Sequence, residues 1–432
     1  MEKVSFDDSG KLLRILDSCE NNPLAAWINV SGTVPKAMVT PTKAIENLRQ
    51  HYATLLKEFP TLRLKVVTID GHHYYQYATD SEIQFDGLIK KIEGVTPLHD
   101  GLSEWFDTDK APLWRVEISE TEQEKTKIRL KICHGIIDGR GAFDVLSLFY
   151  YLALNKPLNE RLNRYRNQPA IYDFGKKCWY TEEITRQGFV EPEIHFKAIH
   201  AELNPPITRP SHVIQPQWSV PYAPISKFCR KYGVSGQALV MAIQNEALRV
   251  YHQGALDDIP IILFSPVDNR KYPYATELFK NALFYYHVGN IYPTVVKKDT
   301  PLENILHCSQ KFKEAYHSQE ACISGYSGSI MTDEQGHTVH SFTKPLNPAL
   351  HNYTFASHLG LVGEGMDDLQ FSNQIAVYDD FYFLNFYGFH NETTFTFSVN
   401  GPYNCPEAFF QTYKDVSMNY YTFIVNDVSE EK

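Results

Sequence analysis

The chain has 432 residues, which is too long for one typical hydrophobic core and suits two domains of about 200 residues each. Hydrophobic residues make up 43% and charged residues 21%, a balance typical of a folded globular protein rather than a disordered one. The formal net charge of -10 disfavours a surface that binds nucleic acid, since such a surface needs an excess of lysine and arginine.

In the first half, hydrophobic periodicity predicts alternating strands and helices. Thr40 and Pro41 have the residue types of a helix cap and first helical position. The apolar residues that follow recur at helical spacing on one face. Strands are predicted over residues 25–32, 64–68, 112–118 and 128–132, and a further helix from residue 142.

The second half repeats this alternation after a polar, proline-bearing stretch from residue 155 to about 210. We therefore predict an N-terminal domain over 1–190, a crossover linker over 191–210 and a C-terminal domain over 211–432. Ser235, Thr300-Pro301 and Pro406 each mark the start of a predicted helix. Strands are predicted at 261–264 and, as a pair, at 381–386 and 393–399.

The most informative stretch joins the strand at 128–132 to the helix from 142. His134 follows the strand, Gly135 and Gly139 bracket a short turn, and Asp138 precedes the helix. Glycine allows a sharp departure from a strand, so the imidazole can face a cleft. Histidine titrates near neutrality, which suits a general base that takes a proton from a hydroxyl or an amine. A hydrogen-bonded structural histidine is the alternative.

Two nucleophilic mechanisms are disfavoured by the same stretch. Cys133 is the neighbour of His134, and adjacent strand residues point to opposite faces, so the two cannot act as nucleophile and base. The chain has no Gly-x-Ser-x-Gly elbow to carry a serine acyl-enzyme.

The pattern His134-x-x-x-Asp138-Gly139 resembles the signature of the acyl-CoA- and carrier-protein-dependent acyltransferases. That superfamily includes chloramphenicol acetyltransferase, plant BAHD enzymes, alcohol acetyltransferases, wax ester synthases and peptide-synthetase condensation domains. Asp268-x-Arg270 and the later Gly289-Asn290 are similar to a second pattern of the superfamily, in the right order, and another strand is predicted after Asn290. Ser357-x-x-Gly360 resembles a segment near its C-terminal end, and Pro112-Leu113-Trp114 looks like wax ester synthases and condensation domains.

The resemblance implies an α/β (α+β) fold of two chloramphenicol-acetyltransferase-like domains, each a mixed sheet flanked by helices, with an active-site channel between them. It implies that His134 is the general base and that Asp138 pairs with Arg270 to hold the turn, with Gly139 in support. An aspartate helix cap and a surface arginine are the alternatives for that pair. The backbone N–H groups of the turn, Ser357 and Asn290 are the candidate oxyanion or channel residues.

The implied function is transfer of an acyl group from acyl-CoA to a hydroxyl, as in alcohol acetyltransferases. Three alternatives remain open: an amide-forming enzyme that uses a carrier-protein thioester, a wax ester or diacylglycerol synthase, and a non-catalytic binding protein. The Asp-Phe-Gly-Trp-Gly motif of plant BAHD enzymes is only hinted at by residues 385–389, and Cys133 stands where condensation domains usually have a first histidine.

Cofactors, partners and location follow from what remains of the sequence. Acyl-CoA is the expected co-substrate and no permanently bound cofactor is expected; the acceptor is a small alcohol or amine. His72-His73 lies in a predicted glycine-led turn and lacks a third ligand at metal-binding spacing, so no metal site is predicted. The seven scattered cysteines, the absence of a long apolar run and the N-terminal residues favour a cytoplasmic protein without a membrane span. We expect a monomer, because two paired domains can complete one site.

Overall fold

The computed structural model describes most of both halves of the chain. The described ranges are 4–16, 27–96, 112–171, 197–198, 213–214, 216–271, 281–284, 288–291, 293–317, 352–374, 385–402 and 406–429. Within these ranges, no helix is both long enough and apolar enough to cross a bilayer.

The described residues form strands and helices that alternate along the chain. The strands are β1 Leu12–Ile15, β2 Trp27–Pro35, β3 Leu64–Ile69, β4 His72–Tyr77, β5 Ile89–Thr96, β6 Trp114–Thr121, β7 Lys125–Cys133, β8 Lys197–Ala198, β9 Val213–Ile214, β10 Gln217–Pro221, β11 Ile261–Asp268, β12 Val288–Ile291, β13 Thr294–Val295, β14 Asn352–Leu361, β15 Asp367–Gln374, β16 Asn385–His390 and β17 Thr394–Pro402. The α-helices are α1 Pro41–Glu58, α2 Phe85–Leu88, α3 Gly139–Ala153, α4 Glu160–Asn163, α5 Tyr222–Tyr232, α6 Gly236–Tyr251, α7 Pro301–His317 and α8 Glu407–Ser429.

The first main sheet has the strand order β15-β2-β7-β6-β5 and is mixed, because only β5 and β6 run parallel. α1 packs on β5 and β6, and α3 packs on β7 and β2. The core between them is apolar and includes the fully buried Trp114, whose indole N–H donates to the Leu62 carbonyl at 2.7 Å. A separate small sheet of order β1-β4-β3 lies in the same half.

The second main sheet has the order β10-β17-β16-β14-β11-β12, with parallel pairs β11–β14 and β14–β16. α6 lies on β14 and β16, and α7 and α8 flank α6. Aromatic side chains dominate its core; Phe386, for example, stacks with Phe397 at a centroid distance of 6.0 Å and tilts against Tyr413 at 5.3 Å. Each half thus buries its own core under a mixed sheet, which confirms the predicted fold class.

One strand crosses between the halves. β15 comes from the second half but pairs antiparallel with β2 at the edge of the first sheet, with Gln374 opposite Trp27. Its Phe371 is 1% exposed and lies in the first core. Side chains reinforce the pairing, because the Asp368 carboxylate accepts the Thr33 hydroxyl at 2.6 Å and the Lys125 ammonium at 2.7 Å. The first sheet is therefore completed by residues far along the chain.

The predicted domain division stays a prediction. Most of the proposed linker lies outside the described residues; its described part, β8, pairs with β14 of the second sheet. The range 211–432 supplies β15 to the first sheet as well as most of the second sheet.

The predicted helix starts at the three polar caps are confirmed. The hydroxyls of Thr40, Ser235 and Thr300 accept the backbone N–H groups of the residues three positions on, at 3.2, 3.3 and 3.2 Å. The final helix begins at Glu407, directly after Pro406. These starts were predictable because a cap satisfies orphan N–H groups within a few residues of chain.

Three local predictions were wrong. The first long strand continues to Pro35 rather than ending at Gly32, since it pairs with β7 as far as Pro35; residues 25–26 of the predicted strand lie outside the described residues. His72 and His73 open β4 rather than lie in a turn, because the turn is confined to Asp70 and Gly71, which have φ angles of 51° and 81° as a tight hairpin requires. Gly289 and Asn290, expected before a strand, lie inside β12. Residues 381–384 of the predicted strand pair lie outside the described residues; the rest forms β16 and β17.

A substitution at Phe371 tests whether the crossing strand β15 stabilises the first core. Truncation to alanine removes a fully buried ring, so we expect Phe371→Ala to lower the free energy of unfolding by about 3–5 kcal/mol. Urea denaturation followed by circular dichroism measures this. Leu306→Ala, at a side chain 41% exposed on α7, is the control and should change stability by less than about 0.5 kcal/mol. Equal effects of the two substitutions would contradict the assignment of β15 to the core.

Candidate active site

The centre of the candidate site is the turn between β7 and α3. β7 ends at Cys133, and a short 3-10 turn covers His134–Ile136. Asp138 then caps α3, which begins at Gly139. The sequence folds this way because the strand is apolar on its buried face and the aspartate carboxylate can accept the first free N–H groups of the helix.

One hydrogen bond fixes the tautomer of His134. Its Nδ1 lies 2.7 Å from the Ile137 carbonyl oxygen, three residues on in the same turn. A carbonyl can only accept, so Nδ1 carries the proton and donates, and Nε2 carries the lone pair. Burial lowers the pKa of His134 below its ordinary 6.5, although the Ile137 carbonyl and Asp138 act in the opposite direction. The imidazole is therefore neutral at pH 7, the state that a general base needs.

Asp138 uses its two carboxylate oxygens for two purposes. Oδ1 accepts the Gly141 N–H at 2.7 Å, which is the helix cap, and Oδ2 accepts the Arg270 guanidinium at 2.8 Å. Asp138 is thus both the cap of α3 and the partner of Arg270. The ion pair is buried, with side-chain exposures of 9% for Arg270 and 5% for Asp138.

Arg270 is held from several sides. Its Nε donates to Asp268 Oδ1 at 2.7 Å, and its Nη1 lies 3.4 Å from the Ala282 carbonyl. Burial alone would lower the pKa of the guanidinium, but the carboxylates of Asp138 and Asp268 raise it above its ordinary value. For Asp268, burial acts to raise the pKa of the carboxyl, but the charge and hydrogen bonds of Arg270 lower it overall. The two carboxylates therefore favour the charged form of Arg270.

Gly139 and Gly141 are needed for space rather than for an unusual backbone angle. Neither is among the residues with a positive φ. A Cβ on Gly139 would lie 3.3 Å from the side chains of Leu359 and Phe371, and one on Gly141 would lie 2.7 Å from Ile137. The sequence assigned Gly139 to a sharp turn after the strand; the structure shows that its lack of a side chain allows α3 to pack closely against β14 and β15.

The predicted oxyanion candidates lie on strands next to the turn. Ser357 is 4% exposed on β14, the strand whose Leu359 packs on Gly139. Asn290 lies in β12 opposite Pro266, so its strand flanks the end of β11 that leads to Arg270. The structure therefore brings the segments of His134, Asp138, Gly139, Arg270, Ser357 and Asn290 to the junction of the two halves.

Two contacts at this junction were missed in the sequence. Arg140 Nη1 donates to the Leu359 carbonyl at 3.1 Å, which ties the start of α3 to β14. Asp144, 3% exposed on α3, pairs with Arg161 at 2.5 Å, and burial raises the pKa of its carboxyl. The signal for the second was an acidic residue within the apolar pattern of a helix.

Cys133 has the properties of a packing residue. It is fully buried, and burial raises the pKa of its thiol to about 12, so no thiolate forms near neutrality. This agrees with the expectation that it does not serve as a nucleophile.

Comparison with known proteins gives a result at the level of the fold. No protein-family model and no curated protein matches the sequence. Among solved structures, polyketide synthase associated protein 5 from Mycobacterium tuberculosis is similar with a TM-score of 0.61 and 12% identity, over 94% of this chain and 98% of that one. The chain has the two-domain fold of the condensation and chloramphenicol-acetyltransferase-like proteins.

Two further structures show how broad this condensation and acetyltransferase fold is. F. graminearum TRI101, complexed with coenzyme A and deoxynivalenol, has a TM-score of 0.58 and 13% identity, over 92% of this chain and 98% of that one. The epimerization domain from the third module of tyrocidine synthetase B has a TM-score of 0.57 and 11% identity, over 99% of each chain. An epimerization domain and a protein that binds coenzyme A share this fold, so the fold alone does not determine which reaction a chain catalyses.

The buried Asp138–Arg270 pair can be tested by a double-mutant cycle. Replacing Arg270 with methionine leaves a buried carboxylate without its cation, so we expect a loss of about 3–5 kcal/mol in the free energy of unfolding. Asp138→Asn should cost less in the Arg270→Met background than alone. Lys43→Met, in the exposed Lys43–Glu46 pair, is the control and should cost less than about 1 kcal/mol. Additive effects of Asp138→Asn and Arg270→Met in urea denaturation would show that the two side chains do not interact.

Proposed function

We propose that this protein is a CoA-dependent acyltransferase that moves an acyl group from an acyl-CoA thioester to a hydroxyl, with His134 as the general base. The observation that carries the proposal is the hydrogen bond from His134 Nδ1–H to the Ile137 carbonyl. It places the lone pair on Nε2 and keeps the ring oriented by the backbone of its own turn.

The chemical steps need only this histidine and hydrogen-bond donors. As the acceptor oxygen attacks the thioester carbonyl carbon, its proton passes to His134 Nε2 and a C–O bond forms. The tetrahedral intermediate then collapses with cleavage of the C–S bond, and the proton passes from Nε2 to the departing thiolate. Backbone N–H groups of the turn, Ser357 and Asn290 are the proposed donors to the oxyanion.

Asp138 and Arg270 act through the backbone of the turn in this proposal. The carboxylate faces Arg270 and the N-terminus of α3, and it is the Ile137 carbonyl that bonds to His134. The pair is therefore a positioning element and not a catalytic triad acid. The similarity in fold to TRI101, whose structure contains coenzyme A, supports acyl-CoA as the donor.

The first experiment measures thiol release from acetyl-CoA and longer acyl-CoAs with a panel of alcohols and amines. We expect release that depends on the acceptor, and a loss of about 10²- to 10⁴-fold in kcat for His134→Ala, because general-base catalysis contributes that much. His73→Ala, on β4 of the small sheet, is the control and should keep its activity. Thermal unfolding of each variant shows whether the fold is retained.

The other outcomes separate the alternatives. Equal release by wild type and His134→Ala would remove His134 as the base. Transfer from a pantetheine-loaded carrier protein, but not from acyl-CoA, would indicate a condensation-type enzyme. Preference for long acyl chains with long-chain alcohols would indicate a wax ester synthase. No transfer from any donor would indicate a binding protein on this fold.

The pH dependence follows from the lowered pKa of His134. The active form is the neutral imidazole, and burial places its pKa below 6.5, so kcat/KM should be constant above that value and fall as the pH drops through the folded pKa. A rate profile between about pH 5 and pH 8 measures the midpoint. A midpoint above 6.5 would contradict the environment described for this ring.

A further inference from the structure

Two cations lie directly beside the ion pair that joins the halves. Arg140 is two residues after Asp138, at the second position of α3. Lys271 follows Arg270 and closes the 3-10 turn Asn269–Lys271 after β11. Because Asp138 and Arg270 are in contact at 2.8 Å, the segments that carry Arg140 and Lys271 are held against each other.

Neither of these cations has a carboxylate partner in the part of the chain that the structure describes. Arg140 makes one hydrogen bond, to the Leu359 carbonyl, which leaves most of its five N–H donors available. Lys271 is partly accessible to solvent and has no hydrogen bond or ion pair with a described residue.

The carboxylates nearby are already engaged. Asp138 and Asp268 both bind Arg270, and Asp144 binds Arg161. Near the junction, the two cations therefore add positive charge beside carboxylates that already bind arginine side chains. They come from different halves of the molecule, and the Asp138–Arg270 contact brings their segments together at the junction.

The titration behaviour of neighbouring groups agrees with this placement. Burial lowers the pKa of Lys271, and the charges of Arg140 and Arg270 lower it further against the opposing effect of Asp268. Burial also lowers the pKa of His358 to about 3, with smaller contributions from His390, Lys271 and Arg140. Arg140 and Lys271 thus both act on His358, and Arg140 acts on Lys271, so an anion between the two cations would relieve their mutual repulsion.

We propose that Arg140 and Lys271 bind the carboxylate of the acyl acceptor, so that preferred acceptors are hydroxy acids or amino acids. This rests on the function proposed above. A guanidinium suits a carboxylate geometrically, and an ammonium adds a point charge beside it. The acceptor is favoured over the phosphates of acyl-CoA, because the whole pantetheine arm separates those phosphates from the thioester, whereas these cations adjoin the turn of His134.

The test compares small acids with their own methyl esters, which differ by the anionic group alone. The probes are 3-hydroxybutyrate and serine, each beside its methyl ester. Equilibrium binding is measured by calorimetry without a donor, and KM is measured with acetyl-CoA. The variants are Arg140→Gln, Arg140→Lys and Lys271→Gln. Lys414→Gln, an exposed unpaired cation on α8, is the control.

We expect wild type to bind the acids more tightly than the esters. Lys271→Gln should weaken binding of the acids by about tenfold, as for a lost charge-assisted hydrogen bond, and leave binding of the esters and the KM for acetyl-CoA unchanged. Arg140→Lys should retain more of the acid preference than Arg140→Gln. Lys414→Gln should behave as wild type.

Other results overturn this inference or the function separately. Equal binding of acids and esters by wild type, or a raised KM for acetyl-CoA in Lys271→Gln, would overturn the carboxylate site. Transfer to neutral alcohols with no preference for acids would leave the acyltransferase proposal intact and remove this one. Acid-selective binding that Lys271→Gln abolishes, without acyl transfer from any donor, would retain the anion site and remove the proposed function.

Discussion

The two oxygens of the Asp138 carboxylate connect elements that lie more than a hundred residues apart. One oxygen accepts the Gly141 N–H and starts α3, and the other accepts Arg270 and fixes the turn after β11. The His134 turn is the short connection between β7 and this anchored helix. Its geometry therefore depends on a contact across the two halves, although every residue of the turn is local in sequence.

Much of the local structure could be predicted because its causes are local. Thr40, Ser235 and Thr300 cap helices with their own hydroxyls. The apolar residues that predicted the strand before His134, Ile128, Leu130 and Ile132, are fully buried. The Asp138–Arg270 contact could be expected only from the resemblance to a known superfamily. Periodicity carries no information about which distant segment meets which.

The pairing of β15 with the first sheet and the role of Gly139 could not be predicted either, because both depend on distant segments. No strand was predicted over residues 367–374, and nothing in their pattern indicates β2 as the partner. Gly139 reads as a flexible turn residue, whereas its lack of a side chain lets Leu359 and Phe371 approach α3. Both features depend on packing between segments, and both lie next to the candidate site.

The crossing strand also constrains how the chain folds during synthesis. The hydrogen bond between Asn29 and Ser372 joins residues 343 positions apart, so the ribosome must make most of the chain before β2 gains its outer neighbour. Until then β2 presents an open edge, which is a surface on which other chains can add strands. A nascent first half therefore exposes this edge, and loop closure over such a distance makes completion of this sheet a late, slow event.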